Sequence, residues 1–170
     1  MFLLILFNIF FFFILLNAHF KISLYNIITY FDVKQREISE TLQVSRSTYA
    51  GWENGIDNIT LLKLNDFCNY FGVSVDYMCG LTTIKKYNII NKDIDINLVA
   101  NNLKKIRLQH NDTQEVISKI INTDRSNYSR YEVGKNLILT SLIIDFAKHY
   151  KVSIDWILGK TENDMLNKER

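Results

Sequence analysis

Residues 35–82 recur without a gap as residues 114–161: at a constant offset of 79, 16 of the 48 aligned positions are identical. A chain that carries one segment twice folds as two copies of one small unit, so the repeat sets the architecture before any element is assigned. The identities include Ile38/Ile117, Ser39/Ser118, Arg46/Arg125, Ser47/Ser126, Tyr49/Tyr128, Glu53/Glu132, Asp76/Asp155 and Gly80/Gly159. Cys68 aligns with Ala147 and Cys79 with Leu158, which gives both cysteines core positions rather than thiol or metal chemistry. His19, His110 and His149 lack partners at ligand spacing, and no phosphate loop, nucleophile elbow or dinucleotide fingerprint occurs. No metal, no cofactor and no enzymatic reaction is implied.

Hydrophobic periodicity predicts helices throughout each copy. In the second, Leu98, Val99, Leu103 and Ile106 define a first helix ending near Asn111. Thr113 caps a second through Ile121, with Val116, Ile117, Ile120 and Ile121 expected inside. After a turn at Asn122 and Thr123, Asp124 caps a third helix that carries Tyr128 and Tyr131 inward and stops near Gly134. A fourth covers about residues 140–150, and Ser153 caps a fifth. The first copy repeats this from Gln35, with Ser45 and Ser74 as caps. The chain contains no proline, so boundaries rest on Gly, Asn, Asp and Ser. The expected fold is all-α, two tandem small five-helix bundles preceded by an apolar segment. Its parts are residues 1–20 (apolar), 21–82 (first module, with an atypical first helix), 83–96 (linker), 97–161 (second module) and 162–170 (polar tail).

Two helices joined by a tight turn, the second short and polar outside, form the arrangement that seats a helix in the DNA major groove. The residues expected on that outer face are Arg125, Ser126, Asn127 and Arg130 in the second copy, and Arg46, Ser47, Thr48 and Gly51 in the first. Arginine can donate two hydrogen bonds to guanine, and Ser, Thr and Asn can reach base edges or phosphates. Gln35 and Gln114 open their helices where an amide could touch a phosphate, and Ser45 and Lys135, which flank the reading helices, are further candidate DNA contacts. A solvated polar face is the alternative for one copy alone; two copies at identical spacing favour DNA.

The segments QREISETLQVSRSTYAGWENG and TQEVISKIINTDRSNYSRYEVG, followed by VSVDYMCG and VSIDWILG, resemble the phage repressor/Cro helix-turn-helix family. The resemblance covers most of the chain beyond the N-terminus and linker. It implies a five-helix bundle whose third helix reads bases, usually with two modules bound per operator. It also implies a buried ion pair between an Arg on the first helix and the Glu closing the third, here Arg107 and Glu132. The first copy departs from this pattern, because the position matching Arg107 is Ile28 and Glu53 is left without an arginine. A buried carboxylate without a partner costs several kcal/mol, roughly. Gln43 and Asn122 stand at a turn position often held by Gly, and Asn tolerates the left-handed conformation better than Gln.

The net charge of +2 hides an asymmetry. Residues 35–82 hold three basic and six acidic residues, whereas residues 97–161 hold ten and six. Phosphate contacts supply much of DNA affinity, so the second module is expected to bind more strongly. Lys104, Lys105, Lys119, Lys135 and Lys148 are its candidate phosphate contacts. The 14 residues of the linker, fully extended, reach about 46–50 Å. Half-sites one turn apart lie about 34–36 Å from each other, so one chain could place both modules on double-stranded DNA as a covalent stand-in for a dimer. The alternative is a homodimer in which the first module is the partner surface.

Residues 1–16 are almost purely Phe, Leu and Ile, with Asn8 the polar break. This run is read either as a start-site or frameshift product of A/T-rich DNA or as a membrane anchor. It is short for a span of roughly 20 residues. A signal peptide fits less well, because the first basic residue is Lys21. Both leading readings leave the rest of the chain cytoplasmic, with a membrane as partner only if the segment inserts. The expected function is a sequence-specific transcriptional regulator, a repressor rather than an activator, with a protein-interaction or antitoxin-like module as the alternative.

Overall fold

The computed structural model describes residues 34–86, 89–90 and 92–164. The apolar N-terminal run, the residues expected to form the atypical first helix of the first module and the last residues of the tail lie outside these. Among the described residues there are nine helices and no strand. The first module supplies α1 (Gln35–Thr41), α2 (Arg46–Asn54), α3 (Leu61–Phe71) and α4 (Val75–Met78). The second supplies α5 (Ile96–Gln109), α6 (Gln114–Ile120), α7 (Arg125–Glu132), α8 (Thr140–Tyr150) and α9 (Ile154–Ile157). No helix among the described residues is long and apolar enough to cross a membrane.

Local side-chain chemistry starts most of these helices. Ser45 Oγ accepts from Thr48 N at 3.0 Å, Thr113 Oγ1 from Val116 N at 3.2 Å and Asp124 Oδ1 from Asn127 N at 2.8 Å. Ser74 and Ser153 accept from Tyr77 N and Trp156 N, both at 3.1 Å. Each bond satisfies an amide that the helix itself leaves unpaired. The turns between α1 and α2 and between α6 and α7 pass through left-handed Gln43 (φ 53°) and Asn122 (φ 56°). At the end of α8, Lys151 takes φ 57° where the first module has Gly72 at φ 62°. A side chain in that conformation clashes with its own carbonyl, so Lys151→Gly is expected to raise the unfolding free energy by about 0.5–1 kcal/mol in a urea titration.

The core repeats as the sequence does. Tyr49/Tyr128, Phe67/Phe146 and Ile38/Ile117 are buried pair by pair, and Trp52 and Tyr131 join them. Cys68 and Cys79 are buried free thiols, and burial pushes both well above the ordinary cysteine range. One expected face is displaced. Ile117 and Ile121 point inward, but Val116 and Ile120 are exposed, and Ser118 takes the remaining inner position. In seven residues only one narrow stripe can face the core; here Ser118 can be buried because its hydroxyl donates to Glu115 O at 3.0 Å.

The two modules form one hydrophobic cluster, joined where α4 packs against α9. The junction is reciprocal. The buried Asp155 carboxylate accepts from Val75 N (3.1 Å) and Asp76 N (3.0 Å) at the start of α4. The buried Asp76 carboxylate accepts from Ile154 N (2.7 Å) at the start of α9 and from Ser153 Oγ (2.6 Å). Each module therefore fills the free amides of the other's last helix with a negative charge, the sign that a helix start favours. The segment between the modules is folded onto them: Lys85 O accepts from Ser74 N, and Ile90 N donates to Lys160 O. Module spacing is thus set by this interface and not by an extended tether.

Candidate nucleic-acid interface

In the second module α6 and α7 form the two-helix unit, and its register is held by one buried carboxylate. Glu132, the last residue of α7, receives Arg107 Nε at 2.6 Å and Arg107 Nη2 at 2.9 Å from α5, and Gln114 Nε2 at 2.8 Å from α6. Arg107 Nη1 also donates to Asp112 O at 2.7 Å, which ties down the turn after α5. Three helices thus meet at a fork-to-fork ion pair, the geometry in which Arg outperforms Lys. Burial raises the Glu132 carboxyl, but the hydrogen bonds from Arg107 and Gln114 outweigh it and hold the group below the ordinary glutamate value. In the first module Glu53 is only half-buried and accepts from Gln35 Nε2. Where the sequence has Ile28 in place of the matching arginine, the carboxylate is thus less buried than Glu132. The hydroxyls of Tyr49 and Tyr128 lie buried near these two glutamates without a well-aligned hydrogen bond.

With the register set, the outer faces of α2 and α7 are defined. On α7, Arg125, Ser126 and Arg130 are exposed, and Lys135 follows them in the next turn, also exposed. Asn127 is half-buried, and its amide donates to Asp124 Oδ2 at 2.6 Å, so it belongs as much to the cap as to the outer face. On α2, Arg46 and Ser47 are exposed and Thr48 is half-buried. Ser45, Ser47 and Thr48 share a hydroxyl cluster, with Ser45 Oγ 2.8 Å from Ser47 Oγ and 2.9 Å from Thr48 Oγ1. Gln35 and Gln114 each commit one amide N–H to a glutamate, which leaves the other for an outside acceptor. Among the lysines, Lys104 and Lys148 are exposed, Lys119 pairs with Glu115 at 2.9 Å, and Lys105 sits over the Trp156 ring.

One difference between the two heads was not anticipated from the sequence. Gly51 stands in the position of Arg130, and Asp57 folds over it: a Cβ at 51 would fall 2.5 Å from Asp57 Oδ2. The first head thus carries a carboxylate where the second carries a guanidinium. The signal was present in the alignment, where Gly replaces Arg and the residue matching Asp57 is the neutral Asn136. Among the described residues no group of His, Cys, Asp and Glu could hold a metal ion.

A short helix, polar outside and set by a tight left-handed turn against the helix before it, defines a helix-turn-helix DNA-binding architecture, here built twice. The chain belongs to the helix-turn-helix family of DNA-binding regulators: the family model matches residues 31–78 and again residues 103–157. It is also similar to Antitoxin PezA of Streptococcus pneumoniae serotype 4, with 34% identity over 70 residues. That alignment takes in 41% of this chain and 43% of the antitoxin, so the chain spans less than half of that relative's length. No solved structure matches it.

Proposed function

We propose that the chain is a sequence-specific transcriptional repressor that reads the major groove chiefly with α7. The observation that carries this reading is the exposed row Arg125, Ser126, Arg130 and Lys135 on and after a helix whose register is locked by Arg107 and Glu132. Arg125 and Arg130 are the base-edge and phosphate donors, and Ser126, with Asn127 beside it, offers shorter-range contacts. Arg46, Ser47 and Thr48 on α2 form a second, weaker head, because Asp57 places negative charge beside it. The interface holds both heads in one chain, so one molecule occupies an operator with two unlike halves.

Arg125→Ala is expected to weaken binding to a selected operator by about tenfold to a hundredfold. Fluorescence anisotropy over a salt series measures this. Wild-type affinity should fall steeply with salt, because phosphate contacts release counterions. Affinity that ignores both salt and Arg125 would instead favour the second reading, a module that binds another polypeptide. The partial similarity to an antitoxin is the observation behind that alternative.

A further inference from the structure

Lys160 is a fully buried lysine at the module junction. Its ammonium donates to Asn65 Oδ1 at 2.9 Å and Asn69 Oδ1 at 2.8 Å, both on α3 of the other module. The two amides are turned toward it because their Nδ2 groups donate to Lys92 O, at 2.9 and 3.1 Å. Burial lowers the proton affinity of the ammonium, and the nearby Asp155 carboxylate offsets part of that. None of these contacts touches the proposed DNA-reading faces.

We propose that Lys160 and its Asn65/Asn69 cradle are a pairing key that makes the interface form between unlike modules, and so within one chain rather than between two. The repeat relation explains why a key is needed. Asp76 and Asp155 are equivalent, so their reciprocal caps would serve a pair of first modules, a pair of second modules or a mixed pair equally well. The lysine site breaks that symmetry. At the offset of 79, Lys160 corresponds to Leu81, Asn65 to Ile144 and Asn69 to Lys148. Two second modules would bury each Lys160 against Ile144 and Lys148, which offer a hydrocarbon and a like charge where it needs acceptors. Two first modules would set Leu81 against Asn65 and Asn69 and take the ammonium away from both amide oxygens, the Asn65 oxygen being buried. Only the mixed pair satisfies every group, which is specificity obtained by penalising the wrong partners. The chain therefore works as a two-headed monomer and does not link into dimers or chains of modules.

The test uses the whole chain with a protease site introduced between Lys86 and Ile89, cut in the folded state and mixed with an isotope-labelled, equally cut copy. Native mass spectrometry after exchange counts mixed and like pairs. Mixed pairs are expected to exceed the statistical share by about tenfold or more. In Lys160→Met, which keeps the volume and removes the charge, pairs of second modules should appear. Like pairs at the statistical share from the wild-type halves would overturn the proposal, whatever the variant does. Sorting in Lys160→Met that matches wild type would overturn it too.

Discussion

Asp155→Ala should lower the unfolding free energy of the chain by about 3–5 kcal/mol, a large part of the roughly 5–15 kcal/mol that folded domains possess. Two charge-assisted hydrogen bonds disappear, and Val75 N and Asp76 N, both on buried residues at the start of α4, lose the carboxylate that accepts from them. Asn is no substitute, since one of its two polar atoms is a donor and would face an amide that also donates. Asp76→Ala should cost a similar amount, because Ile154 N and Ser153 Oγ lose their acceptor in the same way. The double variant should cost less than the two singles together, since the first change already loosens the interface that the second one weakens. Urea unfolding followed by far-ultraviolet circular dichroism gives all three values, and a loss below about 1 kcal/mol for Asp155→Ala would show that the junction is not load-sharing. Operator affinity should fall as well, because heads no longer held together bind as separate modules.

What the sequence made legible was local or periodic. Ser45, Thr113, Asp124, Ser74 and Ser153 cap helices because capping depends on the next three residues alone. The buried tyrosines and cysteines followed from the repeat, which compares each core position with a second example. The reciprocal bonds of Asp76 and Asp155 were not legible, although both residues stood in the aligned motif. Their partners lie a whole repeat away, and an aspartate just inside a helix start reads as an exposed first-turn acid. Lys160 was hidden for a similar reason, since a lysine after Gly159 passes for a surface residue until Asn65 and Asn69 are brought over it. Val116 and Ile120 show the opposite error, where apolar character suggested burial on a helix too short to bury two faces. The linker misled because chain length bounds reach and says nothing of the contacts that fold it back.

Arg107→Ala is expected to cost about 3–5 kcal/mol at neutral pH, because it strands the Glu132 carboxylate among buried groups with the Gln114 amide as its remaining strong donor. Arg107→Lys should recover little of this, since one ammonium cannot make both contacts to Glu132 and the third to Asp112 O. The pH dependence separates this loss from simple loss of packing. In the wild type Glu132 is held below its ordinary value of 4.5, so it contributes stability above that value that is lost as pH falls through the folded pKa. In the variant burial prevails and the carboxyl titrates higher, so stability is instead lost as pH rises toward neutrality. The gap between the two proteins should therefore be widest near neutrality and close only as pH falls through the lowered wild-type folded value of Glu132, as read from urea midpoints across the range. A gap that stays constant with pH would mean that Arg107 acts through its hydrocarbon stem alone. The same variant should weaken operator binding at neutral pH more than at acid pH, because α7 keeps its register against α5 only while Glu132 is satisfied.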